Sequence, residues 1–210
     1  MAESRTEICN LAISHLGIAD EIADVSEDGD NSEAANACRR FYDIARRATL
    51  RDFDWVFARK PVALTEIEDD DDEIDLPEEW GYVYRYPTDA LCIRRISSGA
   101  RNDSRQSRIE FTEQYNDTYG ILIMTDQEDA VAIYTVDHDN PVYYPPDFEL
   151  AFSLRLAYYI APRLAGKESR KLKAELWQLY SMEIGRAMAN IANEEQAPEP
   201  VQSEFVRARE

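Results

Sequence analysis

The apolar positions at the start of the chain recur with helical spacing. Ser4 and Glu7 form a capping box, and the apolar residues that follow fall on one face until Gly17. This pattern predicts a first helix with Gly17 as its C′ residue. The predicted face consists of Ile8, Leu11, Ala12, His15 and Leu16.

A second helical pattern follows a polar loop over residues 18–30. Asp30 and Glu33 form another capping box, and the pattern then continues to about Asp52. The predicted buried stripe is Ala34, Ala37, Cys38, Phe41, Ala45 and Ala48. The other sides of this helix carry Arg39, Arg40, Arg46, Arg47 and Arg51.

The hydrophobic period changes to two in the middle of the chain. Phe53, Trp55 and Phe57 alternate, which indicates either a strand or a plug of rings that closes the helix pair. Short β-rich segments separated by polar turns then predict a small antiparallel sheet or barrel. These segments are residues 82–86, 91–96, 108–115, 120–125 and 130–136.

Helical spacing returns after a loop rich in proline and tyrosine. We expect Asp147 to cap a third helix that Pro162 and Gly166 end or kink. Its predicted stripe is Leu150, Ala151, Leu154, Ala157, Tyr158 and Ala161. A last helix is predicted from Lys167 to about Asn193, with a stripe of Leu172, Leu176, Leu179, Tyr180, Met188 and Ile191.

These patterns together predict an α+β fold. Helix pairs over residues 1–60 and 141–195 are expected to form one helical bundle, with a β-rich lobe over 61–140 inserted between them. The lobe contains an acidic loop at 66–79, and residues 196–210 form an extended, polar tail.

The charge balance narrows the classes of function. The 210 residues include 42 acidic and 23 basic side chains, for a net charge of −19, which disfavours nonspecific binding to nucleic acid or anionic lipid. We expect no membrane segment and no signal peptide. Because Cys9, Cys38 and Cys92 form no CxxC pattern, synthesis in a reducing cytoplasm is expected, without disulfides or zinc.

Candidate chemistry is weak throughout the sequence. The acidic loop lacks the glycine of a calcium-binding EF-hand, and consecutive solvated acids provide no pair of carboxylates with different pKa values. His15 lies on the apolar face of the first helix, and His138 lies in a polar loop without a nucleophile motif. We therefore expect no enzyme, cofactor or metal. Two alternatives stay open: a carboxylate-dependent cell-wall hydrolase and an acidic DNA mimic that inhibits a DNA-binding protein.

Three blocks of the sequence carry a resemblance to a known family. "EICNLAISHLG" and "DGDNSEAANACRRFYDIARRATLRDFDWVFARKPVAL" contain a helix ending in Leu-Gly, a Ser-x-x-Ala helix and Trp-x-Phe-Ala. "YVYRYPTDALCIRRI" and the helical block from residue 147 follow in order. The chain resembles the tail tubular protein A family, the head-to-tail adaptors of tailed phages. The matching positions are Leu16, Gly17, Ser32, Ala35, Trp55, Phe57, Ala58, Pro87, Asp89 and Leu91.

The resemblance implies a structural virion protein located at the head-tail junction. In this family twelve copies form a ring under the portal protein and connect it to the tail nozzle or tail-tube protein. Genomic DNA passes through the ring without sequence-specific binding. The helical part usually builds the ring and meets the portal, whereas the β lobe faces the tail or flanks the ring.

Three groups of residues are predicted to serve this role. Arg39, Arg40, Arg46 and Arg47 are expected to contact acidic neighbours between subunits, although they equally fit an ordinary solvated helix face. Asp69, Asp70, Asp71 and Asp72 are expected to repel DNA phosphates or to face solvent. In the tail, a portal-binding segment is predicted, with an unstructured terminus as the alternative. Its residues are Val201, Phe205, Val206, Arg207 and Arg209.

Overall fold

Helices occupy both ends of the described chain, and strands occupy its middle. The computed structural model describes residues 4–67, 79–99 and 108–194. The helices in these ranges are α1 (Arg5–Ser14), α2 (Glu33–Asp52), α3 (Pro146–Leu164) and α4 (Ser169–Glu194). The strands are β1 (Arg59–Ala63), β2 (Tyr82–Arg85), β3 (Ala90–Ile96), β4 (Phe111–Asn116), β5 (Gly120–Thr125) and β6 (Val131–Val136). The predicted α+β class is confirmed.

The start of α1 is as predicted, but the start of α2 is not. The Ser4 hydroxyl accepts a hydrogen bond from the Glu7 N–H, and Gly17 adopts φ +74° just after the helix. At α2, the Ser32 hydroxyl caps the helix instead of Asp30, by accepting from the Ala35 N–H. The Asp30 carboxylate accepts from the Ser32 N–H, so it forms a turn that precedes the helix.

The predicted limits of α3 are also corrected. The helix begins at Pro146 instead of being capped by Asp147, because a proline in the first turn loses no helical hydrogen bond. Pro162 lies inside α3, which continues to Leu164. The chain then reverses at Gly166, whose φ of +52° lies in the left-handed region that favours glycine.

The alternating aromatic residues after α2 form a plug of rings and no strand. Trp55 is buried, donates from its indole nitrogen to the Thr49 carbonyl at 2.9 Å, and packs edge-on against Phe53 at 5.1 Å. Phe57 packs against Phe148 of α3 at 4.9 Å between ring centroids. Strand β1, which the sequence pattern did not predict, begins directly after this plug.

All four helices contribute to one hydrophobic core. Helix α3 packs against α1, α2 and α4 and is buried on most of its sides. The predicted stripes are partly wrong: Leu11, Leu179 and Met188 are exposed, whereas Ile13 and Ala187 are buried. Packing against α3 selects the buried side of α1 and α4, and it turns these three apolar residues toward solvent.

The strands form two three-stranded antiparallel sheets. Their orders are β1-β6-β3 and β2-β5-β4. The five predicted β segments are all strands, with ends that differ from the prediction by at most three residues. Single bridges join the sheets, from Glu66 to Tyr84 and from Ile96 to Ile109. The main core of the lobe is Tyr84, Ile93, Ile96, Ile123, Ala130, Ala132 and Tyr134.

Candidate interaction surfaces

Arg46 is buried within its own chain. Its Nη1 donates to Asp137 Oδ1 at 2.5 Å and to the His138 carbonyl at 2.6 Å, and its side chain is 3% exposed. Because the guanidinium is buried in these contacts, we do not carry Arg46 forward as a contact with another subunit. It instead ties α2 to the chain that leaves β6, where the lobe meets the helices.

Arg39 is also used internally. Its guanidinium donates to the carbonyls of Ser26 at 2.6 Å and Asp30 at 2.8 Å, and to the Asn36 side chain at 2.8 Å. Because these bonds hold the polar loop before α2, we do not carry Arg39 forward as a contact with another subunit. Arg40 is exposed and is the best placed of the four arginines for such a contact.

Arg47 is exposed but also has a partner within its own chain. Its side chain is 57% exposed, and its Nε donates to Asp137 Oδ2 at 2.9 Å. Exposed ion pairs of this kind contribute little stability. Arg47 therefore remains a candidate for a contact between subunits, together with Arg40.

Arg94 and Arg155 also connect secondary-structure elements, and the sequence patterns indicated a role for neither of them. Arg94 of β3 donates from Nη2 to the carbonyls of Leu50 at 2.8 Å and Phe53 at 2.7 Å, where α2 ends. A cation at a helix C-terminus interacts favourably with the carbonyl dipoles. The sequence signal for this role was that Arg94 and Arg95 interrupt an apolar strand pattern, where a charged side chain needs a partner.

Arg155 links three helices. Its Nη1 donates to Asp52 Oδ2 of α2 and to the Tyr180 hydroxyl of α4, the second at 2.9 Å. The Tyr180 hydroxyl donates to the same Asp52 oxygen at 2.7 Å. Burial raises the pKa of Tyr180, with the hydrogen bond to Asp52 adding to the rise, so the hydroxyl stays a donor at neutral pH.

His15 is a satisfied, half-buried residue, in agreement with the sequence interpretation. Its Nε2 lies 3.1 Å from the Ser153 hydroxyl, which itself donates to the Leu150 carbonyl. Nε2 therefore carries the proton and donates to Ser153. Burial lowers the pKa of His15, because the charged imidazolium loses solvation in this position.

We expect His15 to make stability depend on pH. Its pKa is about 6.5 in the unfolded chain and lower in the folded protein, so the unfolded state binds the proton more readily. The free energy of unfolding should therefore fall as pH drops from 7.5 to 5.5. In urea unfolding at both values, His15→Gln should show a smaller fall than the unchanged protein. An identical fall in the two proteins would contradict this assignment.

The remaining candidates for chemistry give no assembled centre in the described residues. Within 4–67, 79–99 and 108–194, no group of three or more His, Cys, Asp or Glu side chains can hold a metal ion. Cys9 and Cys38 are buried, as predicted for small residues on facing helices. Their mutual hydrogen bond and burial raise the pKa of Cys9, which keeps it a thiol.

Two predicted groups lie outside the described residues. These are the acidic residues Asp69, Asp70, Asp71 and Asp72, and the tail residues Val201, Phe205, Val206, Arg207 and Arg209. Their roles stay predictions.

Helix α4 presents large apolar side chains to solvent. Four of them are between 44% and 50% exposed: Trp177, Leu179, Met182 and Met188. Trp177 and Met188 lie on one side of the helix, three turns apart, whereas Leu179 and Met182 lie on the opposite side, one turn apart. We call Leu179 and Met182 the α4 face. Exposed apolar groups of this size on one helix are typical of a surface that contacts another protein.

The chain also carries two oppositely charged exposed regions. Lys167, Arg170 and Lys171 lie at the turn into α4 and in its first turn. The loop before α2 exposes an acidic set made of Asp20, Glu21, Glu27 and Asp28. Complementary regions on one chain are what a head-to-tail contact between identical subunits requires.

A cleft of about 500 Å³ lies beside the aromatic plug. Its wall includes Val56, which is 51% exposed, and it also contains a hydrogen bond at 3.0 Å from Asn190 to the Asp147 carboxylate. We call it the Trp55 cleft. Its lining is Trp55, Val56, Phe57, Pro145, Pro146, Asp147, Asn190 and Ile191.

Comparison of the chain with known proteins finds no matching family model and no matching curated sequence. Among the helices of the described residues, none combines the length and apolar character needed to cross a membrane.

Proposed function

We propose that this protein is a structural, ring-forming adaptor that joins a phage portal to the tail and forms part of the DNA conduit. Support comes from the order of the three resembling blocks and from the fold, which has helices at both ends of the chain and a β lobe between them. In this role the protein acts by binding, and it requires no catalytic centre or cofactor. Its location would be the head-tail junction of the virion, after synthesis in the host cytoplasm.

The two parts of the fold would have separate tasks in such a ring. We propose that the four helices form a bundle that builds the ring and meets the portal. The β lobe would form a small closed barrel, because the bridges Glu66–Tyr84 and Ile96–Ile109 join the two sheets at both edges. This barrel would face the tail nozzle or tail-tube protein, or flank the ring.

The α4 face is the observation that carries the proposal. A ring of identical subunits uses a heterologous contact, in which two different surfaces of the chain meet. We place the α4 face in this contact, with the basic turn before it close to the acidic loop of the next subunit. Arg40 and Arg47 are further candidates for ion pairs at the rim of the same contact.

The negative charge of the chain fits a conduit for DNA. A surface rich in carboxylates repels phosphates, so DNA would slide through the ring instead of adhering to it. We propose that Asp69, Asp70, Asp71 and Asp72 contribute to this repulsion.

Assembly should fail when the α4 face is made polar. Met182 is 50% exposed, so Met182→Glu should leave the fold intact while placing a charge in an apolar contact. We expect at least about a 30-fold loss of affinity between subunits, since residues central to an interface contribute about 2 kcal/mol or more. Mass photometry of the protein mixed with portal particles measures the loss.

Ile121→Glu is the matched control for this prediction. Ile121 is 44% exposed but belongs to strand β5 and not to α4, so its substitution should leave assembly unchanged. Equal assembly of the unchanged protein and Met182→Glu would remove the α4 face from the contact.

The function itself is tested by a two-dimensional electron-microscopy average of the protein mixed with portal particles. A twelve-fold ring on the portal is the expected result. Absence of any ring over a range of salt concentrations would overturn the adaptor proposal, whatever the effect of Met182→Glu on self-association.

A further inference from the structure

The Trp55 cleft is an apolar site between the aromatic plug, the start of α3 and the end of α4. Trp55 and Phe57 contribute aromatic rings, Val56 and the two prolines contribute apolar walls, and Asp147 supplies one carboxylate. A volume of about 500 Å³ falls within the range of about 300–1,000 Å³ that ligand pockets have. The site therefore suits a few apolar side chains next to a cation.

The position of the cleft suggests where its occupant comes from. Asn190 and Ile191 of α4 line it, and α4 ends at Glu194, about 5 Å farther along the helix axis. The chain has 16 residues after Glu194, which span at most about 55 Å when extended. Because Glu194, the last described residue, follows the cleft-lining Ile191 by less than one helical turn, closing so short a loop onto the cleft would cost little entropy.

The chemistry of this segment matches the cleft. It contains Val201, Phe205 and Val206 for the apolar walls, and Arg207 and Arg209 directly after them for the carboxylate of Asp147. Its four glutamates give the whole segment a net charge of −2, so the match depends on the apolar side chains and on these two local cations. Pro198 and Pro200 limit the number of conformations that the segment loses on binding. A short tether also gives the segment an effective concentration in the millimolar range at a nearby site.

We propose that residues 195–210 of the free protein bind the Trp55 cleft of their own chain, with Phe205 as the anchor. The cleft is thus a peptide-binding site for an apolar segment followed by arginines. On the proposed function, the same side chains are the ones expected to reach the portal. The cleft would then hold the segment in the free protein, and a groove on the portal would displace it by competing for the same side chains.

Disulfide trapping in the full-length protein tests this proposal. Val56→Cys is combined with Ser203→Cys, which keeps the Phe205 anchor, in a Cys92→Ser background so that the two introduced thiols are the accessible ones. The control combines Met182→Cys with Ser203→Cys. Met182 and Val56 are similarly exposed, at 50% and 51%. Met182 lies about 18 Å before the end of α4, within reach of Ser203, whose tether after Glu194 spans at most about 30 Å.

The readout is the intramolecular disulfide formed in glutathione buffers, quantified by mass spectrometry of the unreduced protein. We expect an effective concentration at least tenfold higher for the Val56 pair than for the Met182 pair. Equal values would overturn the proposal, and so would disulfide-linked dimers as the main product, since these place the segment on a second copy. The measurement uses free protein without portal, so its failure is distinguishable from failure of ring formation.

Discussion

Replacing Arg46 with alanine is expected to lower the free energy of unfolding by about 3 kcal/mol, because it breaks a buried ion pair by removing one partner. Arg46 donates to the Asp137 carboxylate at 2.5 Å and to the His138 carbonyl at 2.6 Å. Without the guanidinium, that carboxylate loses its closest cation and the carbonyl loses a charged donor. Urea unfolding followed by circular dichroism measures the change.

Arg47→Ala is the matched control for Arg46→Ala. Arg47 pairs with the other oxygen of Asp137, at 2.9 Å, but its side chain is 57% exposed. Its removal should therefore cost less than about 1 kcal/mol. If the two variants lose the same stability, burial does not distinguish the two arginines, and the role of Arg46 as the anchor between helices and lobe is wrong.

Phe148→Ala is expected to have the largest effect, a loss of about 4 kcal/mol, because it opens a cavity in the aromatic core. Phe148 is fully buried. The distances from its ring centroid to those of neighbouring rings are 5.1 Å for Trp55, 4.9 Å for Phe57 and 4.7 Å for Tyr144. The contacts join α3 to the plug that follows α2. The same urea experiment tests this, with Trp fluorescence as a second probe of the site around Trp55.

Tyr143→Ala removes an aromatic ring from the neighbouring surface. Tyr143 is 63% exposed, so its loss should change stability by no more than about 0.5 kcal/mol. A loss below about 1 kcal/mol for Phe148→Ala would show that the rings repack around the gap, and it would contradict the view that they form a rigid plug.

Much of the fold was predictable because local periodicity records which face of each element is apolar. The four helices and five of the six strands follow the patterns of their own residues. Strand β1 was missed because "RKPVA" is short, charged at its start and interrupted by Pro61, and its pairing with β6 comes from another part of the chain. Asp30 and Asp147 were wrongly predicted as caps, because the preference of a residue type for the cap position does not identify which of several nearby residues begins the helix.

The candidate surfaces were less predictable, since they depend on which residues meet across the fold. The sequence places five arginines on α2 but does not distinguish Arg46, which is buried beside Asp137, from Arg40, which is exposed. It likewise assigns Leu179 and Met188 to the buried stripe of α4, whereas both are exposed. Apolar residues surround α4 on several sides, so its own pattern does not select the buried side.

The sequence by itself determined the class of fold, the order of its elements and the acidic character of the surface. The elements depend on the spacing of apolar residues, which is a local property of the sequence, and the charge depends on the number of charged groups, which simply add. Only the tertiary structure decided the internal hydrogen bonds of Arg39 and Arg46, the exposure of the α4 face and the formation of the Trp55 cleft. Each of these depends on contacts between elements distant in the chain, where packing against α3 and charge pairing across the lobe override local preference.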